Sequence, residues 1–104
     1  MPFDLAVLDC SFISLRLVLP PVAALVRTAG RLVALVKPQF EAGRAEADRG
    51  QGVIRDPAIH ERILGELRAF ADSQEALQWR DVHESPLLGP AGNKEFLLLL
   101  EKTP

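Results

Sequence analysis

The sequence predicts one α/β domain built on a mixed sheet, with parallel strands first and an antiparallel strand pair towards the C-terminal end. Three observations carry this reading. Leu32–Val36 is a short, unbroken apolar run, the pattern of a parallel strand covered on both faces, and Phe3–Leu8, apolar but for Asp4, reads as another buried strand. Between them lies a helical stretch, and a strand–helix–strand unit favours a right-handed parallel crossover. A third apolar run, Lys94–Leu100, follows a weaker strand and a turn rich in proline and glycine, which reads as an antiparallel pair with a longer loop.

In order along the chain, residues 3–9 read as a strand ending on Asp9. Residues 14–29 read as a helix in which Pro20-Pro21 marks a kink or restart, with Gly30 as its C-terminal stop. Residues 31–37 form the next strand, ending on Lys37; Pro38 cannot continue the ladder. Residues 41–54 are charged, rich in small residues and without apolar periodicity, and read as a mobile loop. Asp56-Pro57 starts a helix, with Asp as N-cap and Pro at the first helical position. Ile59, Ile63, Leu67 and Phe70 give that helix one apolar face, and His60, one residue off the stripe, is expected to be exposed. Leu77, Trp79 and Val82 mark the weaker strand over residues 76–84, and Ser85–Asn93 is the turn before the last strand.

Length and composition bound the function. The 104 residues suit one small domain spanning 1–104. A net charge of −2 carries no overall basic signature of nucleic-acid binding, and equally does not exclude RNA as partner. The one cysteine, Cys10, permits no internal disulfide, in keeping with a reducing cytoplasm. Ser11–Val26 is apolar, but it carries Arg16, Pro20 and Pro21 and falls short of the ~20 residues a spanning helix needs, so no membrane is expected as partner. Two histidines far apart and one cysteine make no metal motif.

The charges at the strand ends are the candidates for chemistry. Ligands of open α/β sheets bind beyond the carboxyl ends of the strands. If the first two strands are parallel and the last is reversed, Asp9, Lys37 and Glu95 fall on one edge. Arg44 could meet a phosphate, and Asn93, in the glycine-rich turn, could touch ribose or phosphate. For both, the plainer alternative is a solvated loop charge or a turn residue.

Three long motifs in the same order resemble the C-terminal part of TlyA-type, hemolysin A-like proteins among the FtsJ-like ribosomal RNA methyltransferases. They are Asp9-Cys10-Ser11-Phe12-Ile13-Ser14-Leu15, Lys37-Pro38-Gln39-Phe40-Glu41-Ala42-Gly43 and Ser85–Leu97, with Gly50–Asp56 also similar. The resemblance implies the second half of a Rossmann-like class I methyltransferase domain. It also implies transfer of a methyl group from S-adenosylmethionine to a ribose 2′-hydroxyl of ribosomal RNA or a ribosomal subunit, in the cytoplasm. FtsJ-like enzymes use a Lys-Asp-Lys-Glu tetrad; by motif Asp9 matches the aspartate, Lys37 the second lysine and Glu95 the glutamate. The family's first catalytic lysine, its glycine-rich cofactor loop and its small RNA-binding domain have no counterpart in these residues, so weak or no cofactor binding and no activity are expected of them alone. The other function classes are a non-enzymatic α/β module that binds RNA or a partner, and a membrane-active hemolysin-like protein. A further expectation follows from the fold: Phe3–Leu8 is a sheet edge open to self-association.

Overall fold

The computed structural model describes residues 3–104. The apolar runs form four strands: β1 (Phe3–Leu8), β2 (Val26–Val36), β3 (Leu77–Glu84) and β4 (Phe96–Lys102). They pair in the order β1-β2-β4-β3. β1 lies parallel to β2, and β4 is antiparallel to both β2 and β3, which is the mixed sheet the apolar pattern predicts. The helices are α1 (Leu15–Ala23), two short turns α2 (Pro38–Glu41) and α3 (Arg44–Arg49), and α4 (Pro57–Ser73). No described helix is long and apolar enough to cross a membrane.

Period-2 alternation places Leu32, Ala34, Val36, Leu98 and Leu100 on one face of the sheet, where Leu15 and Leu19 of α1 and Ile63, Leu67 and Ala71 of α4 complete the core. The opposite face is also apolar but carries no described helix. Leu5 and Val7 are 55% and 71% exposed there, beside the half-buried Val33, Leu35 and Leu99. β1 is one edge of the sheet, so its outer backbone groups have no strand partner among the described residues.

Four local expectations need correction. The first helix stops at Ala23, not residue 29. Pro20 and Pro21 lack amide hydrogens, and Lys102 Nζ donates to the carbonyls of Ala23 and Val26 at 2.6 and 3.0 Å, closing the helix end with a cation. Gly30 is therefore no helix stop: it sits inside β2, in a bulge where Ala29 has a φ of 67°. A Cβ on Gly30 would come within 2.9 Å of the Asp4 carbonyl oxygen, so glycine lets β1 approach. Residues 41–54 hold α3, fixed where Glu46 accepts from the Gly43 amide and pairs with both Arg62 terminal nitrogens at 2.6 and 2.7 Å. His60 is buried, not exposed: its Nε2 lies 2.8 Å from the Ile54 carbonyl oxygen and its ring meets Phe96 edge to face. The expected apolar face of α4 holds otherwise: Ile63 and Leu67 are in the core and Ile59 and Phe70 pack against it, with His60 and Ala71 buried beside them.

Candidate functional site at the strand edge

The parallel pairing Leu8↔Ala34 brings the end of β1 beside the end of β2, and the antiparallel pairing Val36↔Phe96 sets Lys37 across from Glu95. All three sequence-predicted charges thus share one edge. Lys37 Nζ lies 2.5 Å from Asp9 Oδ1 and donates to Ser11 Oγ at 3.3 Å. The Lys37 side chain is only 13% exposed, whereas that of Asp9 is 60% exposed. Its alkyl stem is therefore held by packing while its charged end meets the rim. Glu95 is buried and does not pair with Lys37. Its carboxylate packs on the turn before β4: a Cβ on Gly89 would stand 2.2 Å from Glu95 Oε2, so a side chain there would displace the carboxylate.

The turn itself is built by Asn93. Its Oδ1 accepts from the Ile54 amide at 2.9 Å, and its Nδ2 donates to the carbonyls of Gly52 and Pro90 at 2.9 and 3.2 Å. Asn93 is buried, and its amide ties the loop after α3 to the turn before β4. This is turn chemistry, the plainer of the two readings open to it. Arg44 is exposed at the start of α3 and lies outside the crevice beside Lys37.

That crevice has a volume of about 500 Å³ and is lined by Ser11, Phe12, Lys37, Phe40, Gly52 and Asn93 among others. Sequence reasoning passed over its two phenylalanines, which were quoted only inside motifs. The Phe12 and Phe40 ring centroids are 4.9 Å apart. The repeated placement of a phenylalanine three residues after a strand-end charge, Asp9 to Phe12 and Lys37 to Phe40, was the available signal. Glu41 was also passed over: it accepts from the Ser14 hydroxyl at 2.6 Å and the Leu15 amide at 2.8 Å, holding the N-terminus of α1. A second cavity of about 570 Å³, lined by Pro20, Gln74 and Lys102, lies away from these charges.

The site residues present suit the acceptor side of a group transfer. A fixed ammonium can hold a hydroxyl or an oxyanion, and a carboxylate at its side keeps it aimed. They do not fit the whole of S-adenosylmethionine. No glycine-rich strand-to-helix loop occurs among the described residues, and Asp9, the exposed acid at this edge, is engaged with Lys37.

Comparison with known proteins agrees with this geometry. Residues 1–102 match the FtsJ-like methyltransferase family. The chain is 42% identical over 97 residues to the protein named rRNA methyltransferase YqxC of Bacillus subtilis, covering 93% of this chain and 34% of that protein. It is 42% identical over 99 residues to 16S/23S rRNA (cytidine-2′-O)-methyltransferase TlyA of Mycobacterium tuberculosis, covering 93% and 35% respectively. A solved structure of a hemolysin-named protein from Streptococcus thermophilus superimposes with a TM-score of 0.88 at 46% identity, over 96% of this chain and 35% of that one. The chain thus spans about a third of the length of the relatives it matches. With the family matched from one end of the sheet to the other, this chain belongs to the FtsJ-like methyltransferases.

Proposed function

We propose that these residues form the acceptor-side portion of an S-adenosylmethionine-dependent enzyme that methylates a ribose 2′-hydroxyl of ribosomal RNA. The observation that carries the proposal is Lys37 Nζ held between Asp9 and Ser11 at the sheet edge, with Glu95 across the register. The names of TlyA and YqxC give the reaction class and the rRNA substrate. When bound, the cofactor supplies a methyl group on a sulfonium, which brings its own leaving group. As the ribose oxygen bonds to the methyl carbon and the methyl–sulfur bond breaks, the hydroxyl proton would pass to a base supplied by the rest of the enzyme or to solvent, because Lys37 is held as an ammonium against Asp9. Lys37 holds that oxygen and tunes the local charge, Asp9 keeps the ammonium aimed, and Glu95, which does not reach Lys37, is left to orient a lysine supplied by the rest of the enzyme. Arg44 remains available for a phosphate of the RNA.

The substrate places the activity in the cytoplasm. These 104 residues by themselves bind the cofactor weakly or not at all and do not methylate RNA. Calorimetry showing tight, stoichiometric S-adenosylmethionine binding would overturn that statement. The open β1 edge drives self-association of the isolated chain, by pairing with another strand.

The catalytic reading is tested in a hybrid in which this chain replaces the matching third of YqxC. Methyl transfer to ribosomal RNA should fall by about a hundredfold or more on Lys37→Ala, with the circular dichroism unchanged. Wild-type turnover in that variant would make Lys37 a solvated strand end.

A further inference from the structure

Two short segments meet at the strand edge. One runs from Asp9, just after β1, to Ser14, the N-cap of α1; the other runs from Lys37, just after β2, through α2 to Glu41. Among the described residues no backbone hydrogen bond joins residues 9–14 to residues 37–41, so beyond the ladder pair Leu8↔Ala34 their mutual position rests on side chains. Lys37 joins them at one end, through Asp9 at 2.5 Å and Ser11 at 3.3 Å. Glu41 joins them at the other: Oε1 accepts from the Ser14 hydroxyl at 2.6 Å, and Oε2 accepts from the Leu15 amide at 2.8 Å. Between the two closures the Phe12 and Phe40 rings meet, 4.9 Å apart at a 51° tilt. The contacts form a closed ring, with the strand-edge charges on one side and Glu41 on the other. Phe12 has a φ of 64°, seldom adopted by a bulky residue, and its ring is 88% exposed, so burial does not fix that backbone. A conformation of this kind persists only where its surroundings over-determine it. Leu8 in the sheet and Ser14 under Glu41 are the fixed points on either side of it.

We propose that Glu41 is a positioning residue for Lys37. By pinning the start of α1 to the end of α2, it holds the Asp9–Ser14 segment where Asp9 and Ser11 meet the Lys37 ammonium. The proposal rests on the catalytic reading of Lys37 and names what fixes the aim of that group. Glu41 does not line the crevice, so it acts through the segment and not on the substrate. A lysine ammonium rides on a flexible four-carbon stem, and its place is defined by acceptors that are themselves fixed. The 3.3 Å contact to Ser11 is the longer of the two and is the first to be lost if the segment drifts. A displacement of about 1 Å in a reacting group can lower a rate by about a hundredfold. Reach, more than charge, is what the geometry asks of Glu41. Each oxygen meets a different donor, and a side chain one carbon shorter does not span to both.

The lysines of the chain, Lys37, Lys94 and Lys102, provide the test. The 104-residue chain is trace-labelled with N-acetoxysuccinimide, and acetylation of each lysine is read by mass spectrometry. The Lys37 side chain is 13% exposed, so release of its segment opens it to the reagent. Lys94, at 48% exposure, is the reference, and Lys102, held by two carbonyls away from this edge, reports global unfolding. In Glu41→Asp, which keeps the charge and shortens the reach, Lys37 labelling relative to Lys94 should rise at least about threefold. Glu41→Gln, which keeps the reach, should stay within about twofold of wild type. Lys102 should be unaltered in both. Glu46→Gln, which weakens α3 without touching either segment, should leave Lys37 unaltered. In the YqxC hybrid, Glu41→Asp should lower kcat at least about tenfold and leave KM for ribosomal RNA within about twofold. Unaltered Lys37 labelling in Glu41→Asp, an equal rise at Lys102, or an equal rise with Glu46→Gln would each overturn the proposal. So would a hybrid in which Glu41→Asp raised KM and kept kcat. Full turnover of the Lys37→Ala hybrid would remove the catalytic reading alone, because a rise confined to Lys37 labelling would still show Glu41 holding the segment in place.

Discussion

Replacing Glu41 by alanine should destabilise the chain by about 2–3 kcal/mol. Its carboxylate accepts from the Ser14 hydroxyl and the Leu15 amide, at 2.6 and 2.8 Å. Hydrogen bonds to a charged group are worth roughly 1.5–3 kcal/mol each, and the two here share one partly buried acceptor, so they do not add fully. The first turn of α1 holds no acidic residue of its own, so no other carboxylate satisfies its orphan amides. Ser14 keeps its own cap on the Arg16 amide, which sets an upper bound on the loss. Glu41→Gln keeps an acceptor and loses only the charge, and should cost about 1 kcal/mol. In urea unfolding followed by circular dichroism, slopes of about 1–3 kcal/mol/M convert the alanine loss into a midpoint shift of roughly 0.7–3 M. A Ser14→Ala, Glu41→Ala cycle should show coupling of at least about 0.5 kcal/mol. If Glu41→Ala stayed within about 0.5 kcal/mol of wild type, or cost no more than Glu41→Gln, the carboxylate would not be what holds α1 to the α2 turn.

Three further outcomes are expected. Arg62 holds the Glu46 carboxyl down at about 2, below the ordinary 4.5, so its contribution is present above pH 4.5 and is lost as the pH falls towards 2; a Glu46 carboxyl titration by NMR with a midpoint near 4.5 would contradict this. Gly89→Ala places a methyl group 2.2 Å from Glu95 Oε2 and should displace that carboxylate; in the YqxC hybrid, methyl transfer should drop at least about tenfold, and unchanged turnover would detach Glu95 from the site. Light scattering of the isolated chain should show mass rising with concentration, and Val7→Lys, on the 71% exposed position of β1, should shift it towards monomer; a wild-type monomer throughout would exclude self-association through β1.

The sheet was legible because its strands are apolar runs that end on charges, and a period of two leaves little freedom about which residues point inward. Asp9, Lys37 and Glu95 could be placed on one edge from strand direction alone. What the residues concealed was set by long-range partners. Glu46 looks like one of several loop charges until Arg62, 16 residues later, takes its carboxylate. Val26–Gly30 continues a helical pattern, yet belongs to β2 and meets β1 at Val26, once Lys102 closes the preceding helix 79 residues away. His60 is polar by composition and buried by geometry, because the Ile54 carbonyl meets its ring. Phe12 offers no periodicity at all; only its backbone angle and its exposure mark it.

The strand order has a consequence for how the chain acquires its shape. β4 is last in sequence, yet it lies between β2 and β3 and pairs with both. β1 and β2 can meet as soon as α1 has formed, whereas β3 has no neighbour until the final segment arrives. During synthesis at about 5–20 residues per second, Leu77–Glu84 leaves the ribosome as an unpaired ribbon and waits for Phe96–Lys102 to be threaded beside it. Seating β4 against β2 depends on contacts distant in sequence, which slows folding and lengthens the exposure of apolar strands to chaperones and to other nascent chains. The turn that Asn93 ties down leads directly into β4, so the residue that shapes the wall of the crevice also fixes where the inserted strand begins.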